Sequence, residues 1–401
     1  MTPFRYCLTL GAAAAALAGA IASFNYAVDP YLLFDVQRVH GLNDLKPSVA
    51  TRERMMKAYQ AGRVSARTIV IGSSRPDMGL DPATGAWPAS AQPVYNLSLV
   101  GSGTAEGLKY LRHYLAMHPG QPPRTLVVGL DFESFLYVPS QGANARAATH
   151  KAGELEQRLV VDAEGHPNPQ RPVQVFKDRA LGLLSLDAIV DSIKTISGSR
   201  SANVTDLEPN GHLSEAGFRD TAHADGFQLL FTQKHLDAVK QFGKPHRVLS
   251  DVPDGPVRGL AGLRELMAVA KANNSELVFV IQPAHASRLE LLDRMGYWSD
   301  YERWKRELTA MSAEAGASQK VALWDFGGYE SQAREPVPSK GRGVPDMQWF
   351  WDPVHYSSKL GDMMVARIFT DGQEPGFGVR LTPENVEAQI AKVRQDREAY
   401  R

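Results

Sequence analysis

Arg67-Thr68-Ile69-Val70-Ile71-Gly72-Ser73-Ser74-Arg75 is a short apolar run that stops on a glycine and two serines. Such a run, bounded by turn-forming residues, reads as a strand buried on both faces of a parallel sheet. Four more segments share the pattern: Val94–Ser98, Thr125–Asp131, Glu276–Gln282 and Val321–Phe326. Between the second and third, Leu108, Leu111 and Leu115 recur at helical spacing within Thr104–His118. Helical patterns at Pro256–Asn273 and Asp300–Ala315 lead into the fourth and fifth strands. Alternating strands and helices predict an α/β domain around a parallel sheet, with functional residues at the carboxyl ends of the strands. Residues 135–255 break the rhythm. They are rich in Gly, Pro, Asn and Ser, with helical stretches near 174–196 and 227–242, and predict a long insertion over one end of the sheet.

The 401 residues carry 44 Lys+Arg against 44 Asp+Glu, with 43 % hydrophobic and 22 % charged residues. That composition excludes wholesale disorder, and a neutral chain has no overall attraction for nucleic acid. Cys7 is the single cysteine, so no intramolecular disulfide or cysteine-rich zinc site is available. The eleven histidines show no H-E-x-x-H pattern or close ligand grouping, so no metal and no cofactor is expected.

Residues 7–28 carry no charge. At ~1.5 Å per residue they span about 33 Å, close to the hydrocarbon thickness of a bilayer. Arg5 precedes the run and Asp29 and Asp35 follow it, an asymmetry that favours a cytoplasmic N-terminus and an exported body. The segment is either a cleavable signal peptide, with Ala20-Ile21-Ala22 as a small-residue site, or a retained anchor. Its length, continuing through Phe24, Tyr26 and Val28, favours the anchor; residues 29–401 then form the body, in the periplasm and tethered by one pass to the inner membrane. Cys7 lacks the small and apolar residues of a lipoprotein cleavage box before it.

A serine on a tight turn between a buried strand and a helix start is well placed for a nucleophile, though serines there also serve as helix caps. Near the far end stands Trp349-Phe350-Trp351-Asp352-Pro353-Val354-His355-Tyr356. Asp352 and His355, three apart on one loop, let the carboxylate orient the imidazole and the imidazole accept a serine proton. Both are expected to be exposed loop groups, whose loss would change stability little. The aromatic residues of this stretch either pack in the core or stack on a sugar ring.

These residues, in this order, resemble the SGNH (GDSL-type) hydrolase superfamily. Gly72-Ser73-Ser74 stands where that family has Gly-Asp-Ser, Gly101 where it has a glycine block, and Gly129-Leu130-Asp131-Phe132 where it has Gly-x-Asn-Asp. Asp352 and His355 match its final Asp-x-x-His. The resemblance covers the sheet core and not the insertion. It implies a three-layer, flavodoxin-like fold with a five-stranded parallel sheet and helices on both faces. It also implies a Ser74–His355–Asp352 triad and an oxyanion hole made by the N–H groups of Ser74 and Gly101. Two positions depart: Ser73 replaces the family's Asp, and Asp131 its oxyanion-hole Asn. An ionised Asp131 would repel a developing oxyanion, so it must be protonated, turned away or outside the hole. A Gly-Ser-Ser block behind an N-terminal anchor is similar to the branch that serves teichoic acid D-alanylation and alginate O-acetylation. That likeness implies transfer or removal of a small acyl group on an envelope glycan, beside a multi-span membrane O-acyltransferase as partner.

Arg75 and His285 are further candidates for substrate contact, with Asp131, against structural roles for each. Two rivals remain. Gly101-Ser102-Gly103-Thr104-Ala105-Glu106-Gly107 approximates a dinucleotide-binding loop with Asp131 as the ribose ligand, although its third glycine comes one residue late. The other is a non-catalytic scaffold of the same fold, with Ser73 and Asp131 as marks of decay.

Overall fold

The computed structural model describes residues 2–139, 153, 155–201, 203–252, 255–339, 346–369 and 377–401. Thr68–Ile71 forms β1, and β2 (Val94–Asn96) and β3 (Thr125–Leu130) lie on either side of it. Beyond β3 come β4 (Glu276–Ile281), β5 (Val321–Asp325) and β6 (Val379–Arg380), giving the order β2-β1-β3-β4-β5-β6. The first five strands pair in parallel, and β6 is antiparallel to β5. The sheet thus has six strands where five were expected. Two residues of β6 are too few to show a pattern in sequence.

The helices in chain order are α1 (Pro3–Val28), α2 (Val49–Gln60), α3 (Ser74–Gly79), α4 (Thr104–Met117), α5 (Arg171–Leu184), α6 (Leu186–Gly198) and α7 (Ala216–Asp225). There follow α8 (Phe227–Phe242), α9 (Leu260–Ala272), α10 (Ala286–Arg294), α11 (Trp298–Gly316), α12 (Ser358–Phe369) and α13 (Val386–Tyr400). Successive strand residues point to opposite faces, so each strand feeds two cores. Ile69, Ile71, Val128 and Phe279 pack with Leu111 of α4, Leu263 of α9 and Trp304 of α11. Val70, Val127 and Val280 pack on the other side with Met78 of α3 and Leu360 and Met364 of α12. The result is a mixed α/β domain with a mostly parallel sheet covered on both faces.

The insertion joins both cores. Leu207, Leu213, Phe227 and Phe231 belong to the second, and Leu159, Ala238 and Phe242 to the first. Its expected helical stretch at 174–196 is two helices, because Ser185 interrupts it and caps α6 by accepting the Ala188 N–H at 3.1 Å. Helix α1 has 26 residues, includes an 18-residue stretch with a mean hydropathy of 1.8, and is long and apolar enough to cross a membrane. Its last turns rest against α5 and α6, where Asn25 donates to the Leu183 carbonyl and accepts from Ser192, each at 2.8 Å.

Candidate active site

Strand order reverses at β1, whose neighbours β2 and β3 lead away to opposite sides, and a crevice opens beyond the carboxyl ends. Ser73 follows β1 and caps α3, accepting the Arg75 N–H at 3.3 Å. Ser74 is then the first residue of the helix. Its Oγ lies 2.8 Å from His355 Nε2, and His355 Nδ1 lies 2.6 Å from Asp352 Oδ2. A carboxylate can only accept, so Nδ1 carries the proton and Nε2 offers its lone pair to the Ser74 hydroxyl. Residues 281 apart in sequence are thereby joined in one hydrogen-bonded chain.

The loop that carries His355 is fixed from several sides. Phe350 and Tyr356 form an isolated bridge, and the Trp351 N–H donates to the His355 carbonyl at 2.9 Å. Asp352 Oδ1 accepts the N–H groups of Val354 and His355 at 2.8 and 2.9 Å. Asp352 is 1 % exposed. Burial alone would raise its pKa, but the His355 charge and hydrogen bond win and hold it down at about 2. Phe350 and Trp351 are buried, and Trp351 Nε1 donates to Glu215, so these rings belong to the core. The triad loop is therefore interior, not the exposed loop expected from sequence.

Ser74, His355 and Gly101 share the wall of a cavity of about 1000 Å³, together with Met78, Phe218, Arg54 and Lys234. Leu99, Val100, Gly101 and Ser102 make a turn closed by the Ser102 N–H to Leu99 carbonyl bond at 3.1 Å. Its third position needs a positive φ, and Gly101 supplies +69°. Helix α2 holds the Val100 peptide from both sides. Glu53 accepts the Val100 N–H at 2.9 Å, and Arg54 donates to the Val100 carbonyl at 3.0 Å. Because a trans peptide points its C=O and N–H in opposite directions, Arg54 also aims the Gly101 N–H. Lys57, fully buried, bonds Asp77 at 2.6 Å and the Ser98 carbonyl, which ties α2 to α3 and to the same turn. The Ser74 N–H, at the first helical position, has no intrahelical acceptor. Neither it nor the Gly101 N–H makes a hydrogen bond among the described residues.

The three residues expected to touch substrate are turned elsewhere. Asp131 accepts the Ser73 hydroxyl and lies 3.2 Å from Arg75 Nη1. Arg75 also reaches Glu133 at 2.9 Å, and Glu133 is bound again by Arg288 at 3.0 Å. These four charged groups form a mostly buried network at the ends of β1 and β3, off the wall of the cavity. Asp131 is thus turned toward Ser73 and Arg75. His285 is 3 % exposed; its Nδ1 meets Ser287 at 2.8 Å, and its Nε2 meets the Glu335 carbonyl at 2.7 Å. Burial lowers its pKa. Its backbone N–H donates to the Pro353 carbonyl at 3.0 Å, so His285 braces the triad loop from beneath.

Other groupings found from sequence fare differently. Gly107 of the dinucleotide-like loop faces Ile71, where a Cβ would stand 2.6 Å from its side chain. That glycine lets α4 approach β1, and Asp131 is occupied, which leaves the ribose role without a ligand. Among the described residues, Asp81, Glu208 and His212 bring an imidazole and two carboxylates within 4.8 Å of one another, a grouping their spacing did not reveal. Phe218 was likewise missed: its ring centroid lies 5.2 Å from that of His355, and it comes from the insertion, where no pattern pointed to it. No family model matches the chain, and no curated protein sequence matches it.

Proposed function

We propose that this protein is a membrane-tethered, SGNH-type serine enzyme that moves a small O-acyl group on a cell-envelope or exported polysaccharide. The observation that carries the reading is the continuous Ser74–His355–Asp352 chain, on a large cavity whose wall also holds Gly101, with the Ser74 and Gly101 amides unused. His355 Nε2 takes the Ser74 proton as Oγ attacks the acyl carbonyl. The Ser74 and Gly101 N–H groups receive the negative charge on the carbonyl oxygen. His355 then gives its proton to the leaving alcohol. A second hydroxyl, from glycan or water, repeats these steps on the acyl-enzyme, and Asp352 fixes the tautomer and stabilises the imidazolium throughout. The β2-β1-β3-β4-β5 order within the sheet supports a flavodoxin-like fold of this superfamily. Helix α1 and its charge bias support an inner-membrane anchor with the body in the periplasm, beside a multi-span O-acyltransferase.

The direct test is mass spectrometry of the protein incubated with an activated acetyl ester. One acetyl adduct is expected on Ser74, lost in Ser74→Ala and kept in Ser73→Ala. Loss in Ser73→Ala alone would move the nucleophile by one residue. No adduct, with normal glycan acetylation in cells carrying Ser74→Ala, would establish a non-catalytic scaffold. For the topology, a periplasm-only reporter fused after Arg401 should be active, and an active cytoplasm-only reporter there would reverse the orientation.

Arg54 is a positioning residue in this scheme. Arg54→Met should lower kcat by about 10²-fold through a misaimed Gly101 N–H, with KM nearly unchanged. A loss confined to KM would instead make Arg54 a substrate contact.

A further inference from the structure

Helices α5 and α6 are built inside out. On α5 the residues turned inward are Gln174, Asp178 and Gly182, while Val173, Phe176 and Leu184 face outward, Phe176 at 75 % exposure. On α6 the inward residues are Ala188, Ser192, Thr195 and Gly198, while Leu186, Val190 and Ile193 face outward, Leu186 at 79 %. A surface helix of a water-soluble domain shows the reverse pattern. Two adjacent helices with the same inversion form one apolar patch, which water does not favour.

The position of the patch says what covers it. The hairpin packs on α1, where exposure drops along one stripe at Ala18, Ile21, Ala22, Asn25 and Val28. A bilayer core takes about 20 helical residues. Counted from Tyr6, the first residue past Arg5, such a core ends at Asn25. The stripe that meets the hairpin therefore lies mostly within the hydrocarbon, and whatever packs there is immersed too. Polar groups at that depth must find partners within the protein. Asn25 does so with Leu183 and Ser192. Lys177, Arg179 and Lys194 stand exposed around the apolar residues, as cations do that reach from an embedded helix to anionic headgroups.

We propose that α5 and α6 lie in the outer boundary of the membrane that α1 spans, with their apolar faces in phospholipid acyl chains. The inference rests on α1 being a membrane anchor. It gives the insertion a purpose: the hairpin and α1 hold the body on the bilayer at a fixed orientation, and α2, which lines the cavity, packs on the same segment through Arg52 over Tyr31.

The test uses full-length protein with Cys7→Ser, carrying one environment-sensitive fluorophore, in phosphatidylethanolamine–phosphatidylglycerol vesicles. Probes at Phe176→Cys, Val190→Cys and Ile193→Cys should be quenched by brominated acyl chains and shielded from aqueous iodide. A probe at Leu10→Cys should behave in the same way, and one at Lys320→Cys should show the opposite. Hairpin probes that respond like Lys320→Cys, with Leu10→Cys still quenched by lipid, overturn the proposal and leave the anchor standing. Failure at Leu10→Cys removes the anchor and this inference together. Hairpin probes shielded from iodide yet unquenched by lipid show that protein, not lipid, covers the patch, and overturn it as well.

Discussion

Ser74→Ala is expected to lower turnover of an acetyl ester by about 10⁴-fold or more while leaving the thermal midpoint almost unchanged. The reason is geometric. Ser74 is half-buried on the wall of a cavity, and its hydroxyl has one side-chain partner, His355 Nε2. Removing Oγ deletes the nucleophile and leaves no interior donor stranded. Asp352→Asn should cost a similar factor in kcat, because an amide in that place favours the wrong imidazole tautomer. It differs in stability. Asp352 accepts three hydrogen bonds at a buried site, so weakening them adds a penalty of about 1–3 kcal/mol. Steady-state kinetics beside thermal unfolding separates the two substitutions. Equal turnover in Ser74→Ala and wild type would remove the triad from the chemistry. An equal loss of stability in Ser74→Ala and Asp352→Asn would contradict the burial that distinguishes them.

What sequence revealed and what it hid follow one physical rule. The central strands are buried on both faces, so Thr68–Ile71, Thr125–Leu130 and Glu276–Ile281 each read as near-continuous apolar runs. The triad was legible because Asp352 and His355 sit three apart and the serine closes a strand. Helix α2 gave no such signal. Its buried positions include Glu53, Lys57 and Gln60, whose partners Val100, Asp77 and the Glu208 carbonyl come from distant chain. Periodicity registers apolar faces, and a charged face satisfied at long range is invisible to it. For the same reason the support of the Gly101 turn by Arg54 could not be found from spacing. Helices α5 and α6 show the converse limit: their amphipathy marks two faces, but only packing shows that the polar face is the inner one. Arg75, next to the serine in sequence, and Asp131, at the end of β3, are candidates for substrate contact by position alone, and Arg75 is equally a candidate for an ion pair. The missing knowledge was Glu133 and Arg288, which turn those charges into one another.

Glu133→Gln should destabilise the fold by about 3–5 kcal/mol at neutral pH. Glu133 is bound by two guanidinium groups, from Arg75 at 2.9 Å and Arg288 at 3.0 Å, with its side chain 11 % exposed. The neutral amide leaves both cations buried with less than their compensating charge. Burial by itself would raise the pKa of Glu133, but Arg75 and Arg288 together hold it at about 2, below the ordinary 4.5. A depressed carboxyl stabilises the folded state fully above its unfolded pKa, and that contribution fades as pH falls toward the folded value. The gap of about 2.5 pH units corresponds to about 3 kcal/mol, in line with the mutational figure. Denaturant titrations of wild type and Glu133→Gln should therefore differ most above pH 5 and converge between pH 4.5 and 2. Asp352 titrates over a similar range in both proteins, so the difference between them isolates Glu133. A stability gap that stays constant from pH 7 down to 2.5 would assign the loss to packing. The charge network would then hold neither Arg75 nor, through Asp131, the Ser73 turn that presents the nucleophile.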